Sequence, residues 1–181
     1  MKKLAILICI VLIFSSCTLF LRKTHITWPD KIEYMEAICD LDMSWRDLRY
    51  SGSMSIKMKY PDRLHIEVYG PFGETVVLLM KDRDEFLFTS GNEKINDERK
   101  FEERFGIKLN EFIDDIAMRN YLKNSHEGVY SRRENYVVIY ELGEDKDRIC
   151  WKGKDGSICV RFIEAAFDEE GKVGKSSNGE V

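Results

Sequence analysis

The chain has 181 residues, of which 33% are charged and 44% apolar. This length suits one ordinary domain with one hydrophobic core. The 28 Lys and Arg nearly balance the 32 Asp and Glu, for a formal net charge of -4, so a nucleic-acid binder with its basic face is not indicated.

The first residues have the three parts of a signal peptide. Lys2 and Lys3 precede an apolar run from Leu4 to Phe14, and two serines then precede Cys17. The apolar run is shorter than the roughly 20 residues of a membrane-spanning helix. We therefore expect residues 1–16 to be removed after export.

Small residues directly before Cys17 resemble the lipobox of bacterial lipoproteins, in which the cysteine thiol receives diacylglycerol and becomes the new N-terminus. Phe14 departs from the aliphatic residue usual at its position. Thr18 stands where an aspartate would mark inner-membrane retention, so the resemblance favours the outer membrane. The alternatives are an uncleaved anchor or an ordinary signal peptide with a chance cysteine.

Residues 17–28 are predicted to form the lipidated N-terminus and a tether. An amphipathic helix is predicted to follow, because Ile32, Met35, Ile38, Cys39 and Asp42 recur at three- and four-residue spacing and give one face that is apolar until its last turn.

From Leu48 the apolar period changes to two, which predicts strands. The predicted strands cover 48–59, 63–69, 74–80 and 85–90, then 128–130, 136–142, 148–152 and 157–167. Short polar turns join most of them, so neighbouring strands should pair antiparallel.

Two short helices are predicted between the two groups of strands. Phe101 and Phe105 lie one helical turn apart before Gly106, a predicted C-terminal cap, and Leu109 to Ile116 has the spacing of a second helix. The predicted fold is mainly β (α+β): an open, strongly curved antiparallel half-barrel, with an N-terminal helix and short helices covering its concave face. We expect one domain over 29–167 and a disordered tail over 168–181.

Cys150 and Cys159 flank a turn-like segment, so they could face each other on a hairpin and be oxidised in the periplasm. The equally weighted alternative is two small buried apolar residues, because the sequence does not determine their register.

One constellation resembles a known family. It comprises Tyr50 to Glu67 with its proline turn, then Gly70-Pro71-Phe72-Gly73, a strand, a charged turn and Phe86-Leu87-Phe88. Together with the later segment from Phe105 to Phe112, it resembles the LolA/LolB superfamily of periplasmic lipoprotein carriers. The resemblance covers about 44–118, and its strength lies in the order of the pieces.

The resemblance implies a concave apolar face that holds the acyl chains of a lipoprotein. The predicted lining is Met54, Ile56, Leu64, Ile66, Val68, Val76, Leu78, Met80, Phe86, Phe88, Phe112 and Ile116. Lipidated Cys17 favours the LolB branch, which is anchored in the outer membrane and accepts cargo from a soluble LolA-type carrier. In that branch an apolar residue protrudes from a membrane-insertion loop, which Gly70, Pro71, Phe72 and Gly73 match.

Phe72 could instead fold back onto its own sheet. No enzyme is predicted, because His25, His65 and His126 lie in no metal-ligand spacing and beside no nucleophile motif. Acidic clusters such as Asp114-Asp115 are expected to be solvated surface. We therefore expect no catalytic residue, metal or cofactor.

The predicted function is an outer-membrane lipoprotein that receives acyl chains and helps insert lipoproteins, with acylated lipoproteins and a LolA-type carrier as partners. The alternative is a non-catalytic structural lipoprotein of the envelope, whose cavity is filled by its own side chains.

Overall fold

The computed structural model describes residues 26–119, 121, 129–143 and 146–167, of which 129 and 130 are described by their backbone alone. The predicted signal peptide, the lipidation of Cys17, most of the tether and the tail 168–181 lie outside the described residues, as do His25 and His126.

The described part of the chain forms a 10-stranded sheet with two short helices. The strands are β1 Tyr34–Trp45, β2 Leu48–Lys59, β3 Arg63–Tyr69, β4 Thr75–Asp82, β5 Glu85–Ser90, β6 Glu93–Ile95, β7 Val129–Arg132, β8 Tyr136–Glu141, β9 Arg148–Gly153 and β10 Gly156–Ala166. The helices are α1 Glu98–Phe105 and α2 Leu109–Ile116.

The strand order is β6-β5-β4-β3-β2-β1-β10-β9-β8-β7, and all pairs are antiparallel. Two runs of consecutive hairpins, β1–β6 and β7–β10, are joined by pairing between β1 and β10. The open, mainly β architecture is therefore confirmed. The predicted strong curvature is not found, because the sheet is neither closed nor strongly curled. Hairpin turns determine which strands pair without requiring the sheet to bend.

The predicted N-terminal helix is wrong, because its residues form strand β1. Met35, Ala37, Cys39 and Leu41 are buried, whereas the residues between them are more exposed, which is the period of a strand. β1 pairs on both sides, with β2 and β10. Two full ladders of backbone hydrogen bonds outweigh a local spacing that also fits a helix.

The end of the predicted tether belongs to the domain. Ile26 is buried, and the Trp28 ring makes an edge contact with Phe162 at 4.9 Å between centroids. Trp28 Nε1 also donates to Asp147 Oδ1 at 2.6 Å. Ile26 and Trp28, which the sequence assigned to the tether, are therefore packed against the domain.

Cys150 and Cys159 face each other across β9 and β10 and are joined by a disulfide bond. Cys39 is a free, buried cysteine. Neither described helix is long and apolar enough to cross a membrane.

Candidate functional site: an apolar cavity under two helices

Helix α1 is held by local signals and packs on the sheet through two aromatic rings. Asp97 caps its start by accepting from Arg99 N at 2.9 Å, and Gly106 ends it in the left-handed conformation. Phe101 lies 5.3 Å between centroids from both Phe86 and Phe88 of β5. The predicted helix and its cap are therefore confirmed.

Helix α2 is amphipathic and turns its apolar side to the same face of the sheet. Leu109, Phe112, Ile113 and Ile116 are buried, and the Phe112 ring lies 4.7 Å from that of Trp151 on β9. The two helices thus cover β5 on one side and β9 on the other.

A cavity of about 100 Å³ remains between the helices and the sheet. All of its lining residues are apolar: Leu41, Met43, Trp45, Leu48, Met54, Ile66, Val68, Val77, Leu79, Phe88, Phe101, Phe105, Ile107, Leu109, Phe112, Ile158 and Val160. Apolar cavities of this kind stay dry and accept apolar guests.

The predicted lining residues fall into three groups. Met54, Ile66, Val68, Phe88 and Phe112 line the cavity. Ile56, Leu64, Phe86 and Ile116 are buried in the same apolar core but lie outside the cavity wall.

Val76, Leu78 and Met80 were assigned to the wrong face of the sheet. Val77 pairs with Val68 and Leu79 with Ile66, so it is these two that point to the helices. All five positions of Val76 to Met80 are apolar, and a one-residue slip turns every side chain of a strand over.

The lining contributed by β1, β10 and α1 was not predicted. Leu41, Met43 and Trp45 were missed because the first part of β1 was predicted to be a helix, in which Leu41 does not lie on the apolar side. A strand signal was present in the alternation of Cys39, Leu41 and Met43 with acidic residues.

Polar contacts fasten α1 to the sheet at both of its ends. The buried Trp45 Nε1 donates to Phe105 O at 2.8 Å. Lys81, which points to the covered face, donates to Glu98 Oε2 at 2.5 Å with its side chain only 9% exposed. Both contacts would have to break if α1 moved off the sheet.

Asp115 of α2 lies at the centre of a buried polar network and is 0% exposed, so the expectation that it is solvated surface is wrong. Arg133 Nη2 donates to its Oδ1 at 2.6 Å, and Trp151 Nε1 donates to its Oδ2 at 3.2 Å. Tyr140 OH donates to the backbone oxygen of Asp115 at 3.0 Å. Burial raises the pKa of the Asp115 carboxyl from 3.8 to about 6, against the opposing effect of Arg133.

Phe72 is 95% exposed at the tip of the turn between β3 and β4. Gly73 N donates to Gly70 O at 3.0 Å, and Phe72 N donates to the Glu74 carboxylate at 3.1 Å. The turn is therefore tied together by its own hydrogen bonds and presents the ring outward. The alternative of a Phe72 folded onto its own sheet is not found.

A larger groove of about 740 Å³ lies elsewhere, near the start of β1 and the end of β10. It mixes apolar residues with Glu36, Lys57 and Glu164, and it is bordered by Ile26 and Phe167, where the described ranges begin and end. Its charged lining suits acyl chains less well than the cavity under the helices.

His65 lies on the opposite face of the sheet, where its Nε2 is 2.9 Å from Glu67 Oε1. Within the ranges that the structure describes, no three His, Cys, Asp or Glu side chains are grouped so as to hold a metal ion.

The sequence matches no protein-family model and no curated protein. Its resemblance to the LolA/LolB superfamily therefore rests on the residues quoted above.

Proposed function

We propose that this chain is a LolB-like outer-membrane lipoprotein, which binds the acyl chains of other lipoproteins and helps insert them into the membrane. The observation that carries the proposal is the wholly apolar cavity between one face of the sheet and two short helices. Burying a methylene group contributes about 0.8 kcal/mol, so such a cavity can bind an acyl chain without any polar contact.

The cavity's volume implies movement of the helices during binding. At about 100 Å³ it is smaller than the roughly 150 Å³ cavity that accommodates benzene. A whole acyl chain would therefore require α1, α2 or both to move away from the sheet. Each helix is only eight residues long, and its movement would break the contacts that Trp45 and Lys81 make with α1 or those that Arg133 makes with α2.

The Phe72 turn is suited to the release of cargo into a bilayer. An exposed aromatic side chain partitions into the membrane interface. Its own hydrogen bonds hold the turn in shape, so little ordering would accompany insertion. Lipidated Cys17 would keep the domain at the same membrane, and a soluble LolA-type carrier would supply the cargo.

Native mass spectrometry tests acyl binding. The mature chain with Cys17→Ser, which cannot be lipidated, is incubated with an acylated lipoprotein and with its unacylated form. We expect capture of the acylated form alone. Capture of neither form would reject the proposal.

Substituting Phe72 by Glu should abolish transfer to liposomes while leaving capture and thermal stability unchanged. The reason is that Phe72 contributes exposed apolar surface and no core packing. Transfer is measured by flotation of the cargo with vesicles.

Asn92→Glu is the matched control for Phe72→Glu, since it puts the same charge on another exposed turn at the same end of the sheet. If both variants lose transfer equally, the loss is caused by the added negative charge at this end of the sheet and not by removal of the Phe72 ring.

A structural lipoprotein of the envelope is the second candidate. The observation in its favour is that the protein's own side chains fill most of the space under the helices. This candidate predicts that neither form of the cargo is captured and that deleting the protein changes envelope integrity rather than lipoprotein sorting.

A further inference from the structure

The cavity comes near solvent at one place. Of its described lining residues, Met43 and Leu48 are half-buried, and the others are buried. Leu48 begins β2, and Met43 is the ladder partner of Tyr50 on β2. An acyl chain that entered here would pass Met43, Leu48 and Tyr50.

A hydrogen bond between two strands that are not neighbours in the sheet begins next to Met43. Tyr50 OH lies 2.7 Å from Ser90 Oγ. Tyr50 is on β2 and Ser90 on β5, and β3 and β4 lie between these strands in the sheet. Ser90 pairs with Val77 of the cavity wall, so its side chain points to the covered face.

The bond therefore reaches over the ends of β3 and β4, which are joined by the turn that carries Phe72. Tyr50 is half-buried against the core, and Ser90 is buried. The two polar groups thus adjoin the cavity wall, because Tyr50 pairs with Met43 and Ser90 pairs with Val77.

We propose that Tyr50 and Ser90 form a gate to the apolar cavity, and that acyl chains enter and leave between these two side chains, over the ends of β3 and β4 and beside the Phe72 turn. This inference rests on the proposed function and adds the route of the cargo to it. The route would bring the chain from the bilayer contact of Phe72 directly to Met43 and Leu48. Tyr50 and Ser90 are positioning residues in this account, because they control access.

The test is a double-mutant cycle on the rate of capture. The mature Cys17→Ser chain is mixed with a lipopeptide that carries one palmitoyl chain and an environment-sensitive dye. Tyr50→Phe should raise the association and dissociation rates alike, each about fivefold, since a hydrogen bond of ordinary net strength is lost from the closed state. The dissociation constant should stay the same.

Ser90→Ala should have the same effect, and the double variant should be no faster than either single variant, because one bond is removed in all three. A merely structural role would lower the melting temperature and leave the rates unchanged. Unchanged rates in folded variants overturn the gate.

The chain offers a matched control on its other face. Ser55 Oγ and Tyr69 OH also form a hydroxyl–hydroxyl bond, at 2.9 Å between the neighbouring strands β2 and β3, and Tyr69 OH donates in addition to Glu67 Oε2 at 2.8 Å. Tyr69→Phe and Ser55→Ala should leave both rates at the wild-type values. If they accelerate capture equally, loosening of the sheet is the cause and the gate is rejected.

A second measurement separates failure of the gate from failure of the proposed function. If the wild-type chain captures no lipopeptide, the proposed function fails, and access is followed by maleimide labelling of Leu79→Cys in the cavity wall. Labelling should be faster with Tyr50→Phe than without it. Equal labelling rates overturn the gate.

Discussion

Asp115 is a costly residue for this fold to bury. Its carboxylate is removed from water, and Arg133, with a side chain 16% exposed, is its charged partner. Such a pair is a weak source of stability, but removing one partner leaves the other charge buried and unpaired. Because Arg133 also donates to Glu111 O, the pair fastens α2 to the turn before β8.

Asp115→Asn should change how stability depends on pH. The folded-state pKa of Asp115, about 6, lies above its ordinary value of 3.8, so between these values the folded protein holds a proton that the unfolded chain has lost. The contribution of Asp115 to the free energy of unfolding is therefore present below pH 4 and is lost as the pH rises through 6. Its size is about 3 kcal/mol.

Urea unfolding at pH 4 and pH 7 gives the free energy of unfolding of wild type and of Asp115→Asn. The pH dependence of the difference between them measures the contribution of Asp115. Between pH 7 and pH 4 we expect the wild type to gain about 2 kcal/mol relative to the variant, because the unfolded chain is still largely deprotonated at pH 4. Glu134→Gln, at an exposed carboxylate, is the control. Parallel pH profiles for Asp115→Asn and wild type would contradict the assigned burial effect.

The disulfide between Cys150 and Cys159 joins residues of sequence separation 9. Closing so short a loop stabilises a protein by about 2–3 kcal/mol in the chain-entropy model. Replacing both cysteines by Ala should therefore lower the free energy of unfolding by about that amount, and added reductant should affect the wild type alone. A variant that still responds to reductant would show that another thiol is involved.

At the scale of elements, the end of α1 depends on Gly106. Its φ of 70° is left-handed, and a Cβ there would lie 2.8 Å from Arg46 Nη2. Arg46 donates to the carbonyl of Glu103 in the last turn of α1, at 3.2 Å. Gly106→Ala should therefore cost about 1–2 kcal/mol of backbone strain and also displace Arg46.

Gly91→Ala is the matched comparison for Gly106→Ala, because Gly91 has φ 57° and nothing lies within 4 Å of an added Cβ. Gly91→Ala should therefore lower the stability by the backbone strain alone, without displacing a neighbouring side chain. Thermal unfolding of the two variants gives the difference, and equal losses would show that the Arg46 contact contributes nothing.

At the scale of the whole molecule, pairing of β1 with β10 makes one sheet of the two hairpin runs. The backbone amides of the innermost strands should therefore be the most protected from hydrogen exchange. We expect the slowest hydrogen exchange in β1, β2 and β10, and the fastest in β6 and β7 at the described edges. Two separate levels of protection, one for β1–β6 and one for β7–β10, would mean that the runs unfold independently.

Much of the fold was predictable because its signals are local. Strands β2, β3 and β5 begin and end where the sequence predicts, because their side chains alternate between the face covered by the helices and the more solvent-exposed face. Helices α1 and α2 were predictable from a glycine cap and from apolar residues at helical spacing.

The candidate site was predictable only in part, because its walls come from segments with ambiguous patterns. β1 satisfies a helical and a strand period at once, and its partners β2 and β10 decide between them. Val76 to Met80 is apolar throughout, so its pairing with β3 decides which residues face the helices.

The sequence by itself therefore determined most of the alternating strands and the two short helices, because each depends on neighbouring residues, whereas the exposure of Phe72 was left open. Only the tertiary structure decided that β1 is a strand, which face of β4 is covered, how much the sheet curves, and that Asp115 is buried. Each of these is set by which distant segments pair or pack together, since pairing satisfies backbone hydrogen bonds and burial removes apolar surface from water.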